Sequence, residues 1–428
     1  MNSYRAPVRE MRFVMDEIAG LSEIAALPGF EEVTPDLADA VLEEAARFTG
    51  EVLAPLNRIG DQAGCTLTPA GVSTPPGWSA AYKAFCEAGW NGIASPAEFG
   101  GQGLPDTLAI AVKEMVCSAN LSFSLGPLLT TGAVEALLTC ASDALKSTYL
   151  EKMISGEWTG TMNLTEPQAG SDVGALTTKA VPNGDGTYAI TGQKIYTSLA
   201  GYADYIWLAA RTDPDAPKHK GISIFAVPTT TPGFSYSTIH TLVSSGTTNT
   251  FYDNIRVPAS ALIGKVNQGW SLITNQLNYE RVAIAPPGMV DKVYEDTVAW
   301  ARDTKLPDGR RVIDQDWVRM NLARVHARLE YLKLANWKAV TCGDPNPALS
   351  SATKVFGTEF FCEAYRLLQE VYGQAGMLRN LAPGAPLMGR LERAYQGTLF
   401  LTFGGGVNEV QRDLIALFGL GMPRVPRH

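Results

Sequence analysis

The spacing of hydrophobic and polar positions changes twice along the chain. From residue 8 to about 155, apolar side chains recur every three or four residues, as amphipathic helices require. The clearest stretches are MRFVMDEIAGL, LADAVLEEAARFTGEVLAPL, WSAAYKAFCEAGW and TGAVEALLTCA. Glycine and proline clusters such as TPAGVSTPPG and EFGGQGLP separate these stretches. The pattern predicts an N-terminal helical domain over residues 1–155.

Near residue 156 the pattern becomes that of short β-strands. YAITGQKIYTS, DYIWLAART and GISIFAVP are rich in β-branched and aromatic residues and are separated by turn signals such as NGDG. From about residue 266 the helical spacing returns, for example in DKVYEDTVAWARD and ATKVFGTEFFCEAYRLLQEVYGQAG. We therefore predict an α+β multidomain fold, with a central β-barrel-like domain over residues 156–265 and a C-terminal helical bundle over residues 266–428.

Composition and charge narrow the classes of protein. The chain has 428 residues, of which 46% are hydrophobic and 18% charged, as expected for a folded globular protein. The formal net charge is -8, and no dense run of Lys or Arg suggests contact with nucleic acid or an anionic membrane. The six cysteines contain no CxxC pair and there are only four histidines, so we expect no metal site.

Targeting signals are also missing from the pattern. The first residues, MNSYRAPVREMRF, carry no signal-peptide apolar region. We expect no stretch that approaches the roughly 18 apolar residues of a membrane helix. The sequence therefore predicts a cytoplasmic protein without membrane insertion.

One acidic residue lies where a helix would bury its apolar face. Glu280, in NQLNYERVAIAP, is surrounded by Leu277, Val282 and Ile284. Burying a carboxylate costs several kcal/mol unless it is paired or has a chemical task. On this stretch alone, the favoured interpretation is that Glu280 points to solvent or pairs with a nearby Lys or Arg.

Two polar stretches offer surfaces for a flat or phosphorylated ligand. In MNLTEPQAGSDVGALTTKA, Thr165 and Ser171 supply hydroxyl groups beside glycines with accessible backbone donors. In ITGQKIYTSLAG, Tyr196 and Ser198 lie on the same side of a predicted strand, so that an aromatic ring stands beside a hydroxyl group. A plain turn could look similar, and for either stretch taken singly ordinary β-sheet packing is the better explanation.

Taken in order, these stretches resemble the acyl-CoA dehydrogenase family. TEPQAGSD is similar to its first flavin-contact signature, GQKIYTS to its second, and FYDNIRVPASALIGKVNQGW to the end of its β-domain. YGQAG and GGGVNEVQRDLIA are similar to its two C-terminal signatures. Ordered motifs that span nearly the whole chain are far more specific than a single motif. The resemblance implies a helical domain, a β-domain and a four-helix bundle, with FAD bound between them and across a subunit interface.

The resemblance also implies which residues contact the flavin. The segment Met162, Leu164 and Thr165 faces the pyrimidine edge of the isoalloxazine. Ser171 lies near the flavin and the CoA pyrophosphate. Tyr196 and Ser198 flank the ring, and Tyr196 stands where many relatives have tryptophan.

Contacts to the rest of the dinucleotide depart from the family pattern. Arg302 matches the arginine that reaches the neighbouring subunit's FAD pyrophosphate, but the usual Phe-Gly is missing from ARDTKLPDGRR. Arg310 and Arg311 are therefore alternatives. In EVYGQAG, Glu370 replaces the glutamine on the adenosine side, three residues before Gly373.

The family reaction identifies a role for Glu280. It removes the proton alpha to a thioester and passes the beta hydrogen to the flavin as hydride, so it needs a desolvated carboxylate with a raised pKa. Most relatives carry this base in a late YEG signature, where this chain has Gly405. Isovaleryl, long-chain and several steroid side-chain enzymes carry it on an earlier helix in a pattern like LxxERLxxA, which LNYERVAIA fits. Glu280 is thus the predicted base, and Glu409 is the second candidate.

Neighbouring residues complete the predicted substrate site. The resemblance implies that Arg281 reaches toward CoA phosphate, although a solvated helix arginine would look the same in sequence. A backbone N–H in the segment from Gly404 to Gly406 can hydrogen-bond the thioester oxygen, and glycine leaves room for a wide acyl group. The double proline that begins at Pro286 should end the helix, placing Glu280 near its C-terminus, where the macrodipole raises the pKa of a carboxyl group.

The predicted function is FAD-dependent oxidation of an acyl-CoA to a trans-2-enoyl-CoA in lipid metabolism, with electrons passed to an electron-transfer flavoprotein. The acyl group is expected to be bulky, branched or long, such as a steroid side chain. PGFEEV and EVLAPLNRIGDQAG, however, resemble relatives that act on short functionalised acyl groups, including sulfur-containing ones. A homodimer or homotetramer is expected. The alternatives are an acyl-CoA oxidase that uses O2 and a non-catalytic partner subunit of a mixed tetramer.

Overall fold

The computed structural model describes residues 4–68, 71–242, 246–341 and 346–424. The chain forms two compact units. The helical unit comprises Met1–Arg58, Pro105–Phe123 and Glu280–His428, and the sheet unit comprises Ile59–Leu104 and Ser124–Tyr279. Helices together with a large sheet confirm the α+β class. The predicted helical region before residue 155 contributes to both units, and the three domain boundaries stay a prediction.

The α-helices fall in the two regions where helical spacing predicted them. In the first region they are α1 (Val8–Glu17), α2 (Leu21–Ala25), α3 (Pro35–Phe48), α4 (Ala54–Ala63), α5 (Trp78–Glu87), α6 (Asp106–Ala119), α7 (Leu121–Cys140) and α8 (Asp143–Ile154). In the second they are α9 (Gly269–Ala283), α10 (Gly288–Asp303), α11 (Asp316–Thr341), α12 (Pro347–Val371), α13 (Arg390–Leu399) and α14 (Asn408–Leu414). The predicted return of helical structure after the strands is confirmed.

The strands form a small hairpin and one large sheet. Their bounds are β1 (Thr66–Thr68), β2 (Gly71–Ser73), β3 (Gly160–Asn163), β4 (Lys179–Pro182), β5 (Thr187–Ser198), β6 (Tyr205–Arg211), β7 (Ile222–Pro228), β8 (Phe234–Ile239), β9 (Thr247–Pro258) and β10 (Leu262–Ile263). The antiparallel β1–β2 pair was not predicted, because its strands have three residues each and are too short for an alternating pattern.

The large sheet has the strand order β10-β7-β6-β4-β5-β9-β8, and β3 pairs in parallel with β6. The central strands β6 and β7 are almost continuously apolar, and both their faces are buried. Strand β9, which pairs with β5 and β8, instead alternates buried and exposed positions along much of its length. The β-rich stretches quoted from the sequence lie in β5, β6 and β7 of this sheet.

The core of the helical unit lies around α10, α11 and α12. Its most buried side chains include Val293, Val325, Leu329, Phe361 and Leu368. These residues recur at helical spacing, so that each helix turns one apolar face toward the others. The helix α9 ends at Ala283, shortly before Pro286, which confirms the predicted stop.

One helix passes a length and composition test for a membrane span. Helix α7 has 20 residues with a mean hydropathy of 1.4 in its most apolar window, of which 39% is buried. The expectation that no stretch approaches this length is therefore wrong. The helix also contributes Ala133, Val134 and Leu137 to a buried core cluster, and the core helix of a soluble protein passes the same test. A single helix of this kind is weak evidence for a membrane protein.

Candidate active site

Glu280 lies in the last turn of α9, three residues before the helix ends. Its side chain is half-buried, and among the described residues no hydrogen bond or ion pair reaches its carboxylate. Burial raises the pKa of Glu280, while the positive charge of Arg281 opposes the shift. A carboxyl group without a pairing partner and with a raised pKa is more typical of a proton acceptor than of a surface acid.

The structure brings Gly405 against Glu280. A Cβ atom added to Gly405 would lie 3.7 Å from Glu280 Oε1 and 3.1 Å from Ile284 Cδ1. Gly405 has φ +65° and Gly406 has φ +99°, both in the left-handed region that favours glycine. The two positions at which the family resemblance places a base therefore meet at one point, and one of them holds the acid.

The remaining predicted substrate and base residues differ in burial. Arg281 is buried, and burial lowers the pKa of its guanidinium, opposed by the charge of Glu280. Gly404 is half-buried, packed against Phe400. Glu409 is exposed. The second candidate for the base thus lacks the desolvation that the chemistry needs.

A buried lysine contacts the Gly405–Gly406 turn, and it was not predicted from the sequence. The Lys354 side chain on α12 is fully buried. Its ammonium group donates to the Gly406 carbonyl oxygen at 2.7 Å and to Asn408 Oδ1 at 2.7 Å. The conformation of the turn is therefore coupled to a charged group in the core.

In the sheet unit, the two signature stretches lie side by side. The Ile195 N–H donates to the Thr165 carbonyl oxygen at 2.9 Å. The Thr161 hydroxyl donates to the Ser198 carbonyl oxygen at 2.7 Å. Met162, on β3 between these contacts, is half-buried. Residues predicted to meet one flavin from two distant parts of the sequence are thus neighbours.

Tyr196 has a strained backbone and an exposed ring. It lies where the pairing of β5 with β9 shifts register between Lys194 and Thr197. Its φ of +59° is uncommon for a residue with a side chain, and its side chain is 61% exposed. Thr197 is buried and Ser198 is half-buried, and the prediction that Tyr196 and Ser198 lie on one side of the strand stays a prediction. An exposed aromatic ring held at a strained position fits stacking on a flat cofactor.

A buried ion pair joins the same two stretches, and neither member was predicted. Lys194 Nζ lies 2.8 Å from Glu166 Oε1, and both side chains are almost fully buried. Lys194 also donates to the Leu164 carbonyl oxygen at 3.1 Å. The backbone N–H groups of Thr177 and Thr178 donate to the Glu166 carboxylate at 2.6 and 2.9 Å. The pair therefore fixes the loop that follows β3 onto β5.

Other predicted cofactor contacts lie at the protein surface. Ser171 is exposed, as are Arg302 and Glu370, and Glu370 accepts a hydrogen bond from Asn321 Nδ2 at 3.0 Å. Arg310 and Arg311 are exposed as well and form local ion pairs with the acids of the same loop. Gly373 has φ +59° directly after α12. The choice among the arginines stays a prediction.

The sheet unit also has an open depression rich in basic residues. Its lining includes Lys218, His219, Lys220, Asn267 and Trp270. The His219 imidazole stacks on the Trp270 ring with centroids 3.9 Å apart and an interplanar angle of 18°. Positive charge beside an accessible aromatic pair suits a phosphorylated ring system.

Comparison with known protein families identifies the family of the chain. The models of the acyl-CoA dehydrogenase N-terminal, middle and C-terminal domains match residues 35–157, 161–254 and 267–419. The chain therefore belongs to the acyl-CoA dehydrogenase family, a class of oxidoreductases. The family predicted from the five motifs is confirmed.

Individual relatives are similar over most of their length. The chain is 44% identical to the acyl-CoA dehydrogenase FadE26 of Mycobacterium tuberculosis over 79% of this chain and 86% of that protein. The solved ChsE4-ChsE5 complex from Mycobacterium tuberculosis matches with a TM-score of 0.81 and 39% identity, over 92% of this chain and 99% of that one. The Tcur3481-Tcur3483 steroid ACAD matches with a TM-score of 0.78 and 39% identity, over 92% of this chain and 99% of that one.

Proposed function

We propose that this protein catalyses the FAD-dependent α,β-dehydrogenation of an acyl-CoA thioester to a trans-2-enoyl-CoA, with Glu280 as the base. The observation that carries the proposal is the position of the Glu280 carboxylate, whose Oε1 lies 3.7 Å from where a Cβ atom of residue 405 would stand. The family needs a single carboxylate there, and this chain provides it from α9 instead of from the late glycine segment.

The roles of the protein residues follow from their positions. Burial destabilises the charged form of Glu280, so its pKa rises and its carboxylate becomes a stronger acceptor for the α-proton. The backbone N–H groups of Gly405 and Gly406 would hydrogen-bond the thioester oxygen as it gains negative charge, whereas the Gly404 N–H already donates to the Phe400 carbonyl oxygen at 2.7 Å. The partly desolvated guanidinium of Arg281 attracts a CoA phosphate because little water screens it.

The sheet unit fits a flavin through its adjacent signature stretches. We expect the backbone of Met162, Leu164 and Thr165 to meet the polar edge of the isoalloxazine, and Tyr196 and Ser198 to flank its ring. FAD, when bound, would supply the acceptor for the β-hydride. The buried Glu166–Lys194 pair holds the two stretches in register before the cofactor arrives.

The basic depression is the proposed site for the nucleotide end of CoA. Lys218 and Lys220 supply positive charge, and the stacked His219–Trp270 pair supplies an aromatic surface. Ser171 is adjacent in sequence to Asp172, which pairs with Lys218 at 3.1 Å. This contact supports a position for Ser171 near the CoA pyrophosphate.

The proposed substrate carries a bulky or branched acyl group, such as a steroid side chain. Gly404 to Gly406 present no side chains where the acyl group would approach Glu280. The relative described as a steroid ACAD supports this substrate class. We further propose that electrons leave through an electron-transfer flavoprotein and that the enzyme works as an oligomer. The ChsE4-ChsE5 complex supports assembly with a second, different chain.

The test is an anaerobic titration of the purified protein with a panel of acyl-CoA thioesters. The panel should contain steroid side-chain, branched, long straight-chain and sulfur-containing acyl groups. We expect the flavin absorbance to bleach with at least one member and an equimolar enoyl-CoA to form. A purified chain that binds no flavin by itself or with candidate partner subunits would contradict the proposal and favour the non-catalytic subunit. Stoichiometric peroxide formation in air would identify an oxidase.

Tyr196→Gly should weaken FAD binding while it stabilises the fold. Removing the ring should raise the Kd for FAD, because base–ring stacking contributes roughly 1 kcal/mol. Glycine at φ +59° should relieve strain and raise the free energy of unfolding of the FAD-free chain by up to about 1 kcal/mol. Isothermal titration with FAD and denaturant unfolding measure the two effects. Tyr196→Phe is the control, with both values near those of the wild type; weaker folding together with unchanged FAD affinity in Tyr196→Gly would contradict the stacking role.

A further inference from the structure

Two buried side chains, those of Lys354 and Gln411, supply hydrogen-bond donors beside the Gly405–Gly406 turn. Lys354 makes its two hydrogen bonds to neutral acceptors, the Gly406 carbonyl and the Asn408 side chain. Within the part of the chain that the structure describes, no carboxylate lies within ion-pair distance of its ammonium group. A buried cation without a counter-ion projects its positive charge onto its surroundings, because little water screens it.

Gln411 supplies a second buried donor beside the same turn. Its side chain is 1% exposed, and its Oε1 accepts a hydrogen bond from Ser351 at 3.0 Å. The Nε2 group is buried and has no acceptor among the described residues. A Cβ atom on Gly406 would lie 2.4 Å from this Nε2, so the amide group lies directly against the turn. A buried donor left unsatisfied is costly and uncommon, which indicates a functional use.

The nearby acids leave this positive potential in place. Glu359 and Glu409 attract Lys354 and raise its pKa, but burial and the positive charge of Arg281 lower it further, to about 8. The Glu359 carboxylate is already engaged by Arg412 at 2.7 and 2.9 Å and by Asn408 Nδ2 at 3.1 Å. The surroundings of the Gly405–Gly406 turn therefore stay electropositive while Lys354 is protonated.

We propose that Lys354 and Gln411 are positioning residues that hold the Gly405–Gly406 turn and stabilise the negative charge that develops on the thioester oxygen. This inference rests on the proposed function. In the step concerned, the α C–H bond breaks, its proton passes to the Glu280 carboxylate, and its electron pair delocalises onto the thioester oxygen. Lys354 holds the turn by its hydrogen bond to the Gly406 carbonyl oxygen, acts on the developing charge through its own positive charge, and does not touch the substrate.

The charge on Lys354 is expected to be most important before hydride transfer. A donor that touches an oxyanion typically contributes about 10²–10³ in rate. Because Lys354 does not touch the thioester oxygen, we expect Lys354→Met to slow α-proton removal about ten- to a hundredfold, less than loss of a direct donor. The wild-type rate should also fall above pH about 8, where Lys354 loses its proton.

The proton step can be measured apart from oxidation. 3,3-Dimethylacyl-CoA thioesters of several lengths have α-hydrogens but no β-hydrogen, so no hydride can follow. Exchange of their α-hydrogens in D2O, read by mass spectrometry with the flavin-loaded protein, reports only proton abstraction and return. The matched variants are Lys354→Met, Lys354→Arg and the surface control Lys83→Met, whose lysine side chain is 77% exposed.

The expected pattern separates a charge effect from a structural one. Lys354→Met should exchange slowly at all pH values and lose the decline above pH about 8, Lys354→Arg should recover most of the rate without that decline, and Lys83→Met should behave as the wild type. Equal exchange rates and equal pH profiles in the wild type and Lys354→Met would overturn the inference alone. If Lys354→Met does not fold, Gln411→Met carries the test: a several-fold loss of exchange with unchanged substrate affinity supports the inference, and an unchanged rate overturns it. A wild type that exchanges none of the thioesters would overturn the proposed function as well.

Discussion

Glu280→Gln should lower the rate of anaerobic flavin reduction by a good acyl-CoA substrate by about 10²–10⁴-fold, the range expected for loss of a general base. Glutamine keeps the size of the side chain but cannot accept the α-proton. Stopped-flow absorbance of the flavin measures the effect directly. Thioester affinity should change little, because the substitution removes a proton acceptor and leaves the acyl pocket in shape.

The matched control is Glu409→Gln, which changes the exposed acid of the same signature region. It should reduce the flavin at nearly the wild-type rate. Undiminished bleaching in Glu280→Gln would place the base elsewhere. The pH dependence gives a second check, because burial raises the pKa of Glu280. The reduction rate should fall as the pH drops through that raised pKa, where the carboxylate takes up a proton.

The same substitution should stabilise the protein. A carboxyl group whose pKa is raised by folding binds protons more tightly in the folded than in the unfolded state. Its favourable contribution to the free energy of unfolding is present at low pH and is lost as the pH rises through the raised value. Glu280→Gln should therefore have a higher Tm than the wild type above that pH, with the difference vanishing at low pH.

Lys194→Met is expected to have the largest effect on stability, lowering the free energy of unfolding by about 3–5 kcal/mol. The substitution leaves the Glu166 carboxylate buried without its cation. Burial by itself raises the pKa of Glu166, but the Lys194 charge and the hydrogen bonds from Thr177 and Thr178 outweigh it and lower the pKa to about 2. Denaturant unfolding at pH 7, followed by circular dichroism, measures the loss.

The pH dependence identifies the cause of that loss. In the wild type, the stabilisation from Glu166 is present above its ordinary pKa of 4.5 and disappears as the pH falls toward about 2. In Lys194→Met the isolated carboxyl group should instead prefer its neutral form. The deficit relative to the wild type should therefore shrink on acidification, and Glu166→Gln/Lys194→Met should recover part of it at pH 7. An equal deficit at every pH would indicate lost packing alone.

The sequence predicted those parts of the fold in which buried positions follow one pattern over many residues. The continuous apolar runs of β6 and β7 and the helical faces of α10 to α12 each encode burial over many residues, so their type was clear. The hairpin of β1 and β2 was missed because strands of three residues are too short to show an alternating pattern. The strained φ of Tyr196 was also invisible, since it arises from a register shift against β9 and not from local sequence.

The sequence pattern drew attention to one charged residue of the site, Glu280, but not to the buried lysines Lys354 and Lys194. Glu280 was noticed as an acid within an apolar helix face. Lys354 carries an equivalent signal, because Ser351, Lys354, Thr358 and Phe361 recur at three- and four-residue spacing on α12 and are all buried. A basic residue on the core face of a helix therefore deserves the same question as an acidic one. Lys194 gave no such sign, because strand alternation does not separate a buried lysine from an exposed one.

The backbone at Gly405 disfavours an acidic side chain at that position. A single change from glycine to glutamate would require a side chain at φ +65°, with its first carbon 3.1 Å from Ile284. The left-handed conformation alone costs about 1–2 kcal/mol. A variant with its acid at position 405 in place of position 280 would therefore also need compensating changes in the turn and its neighbours.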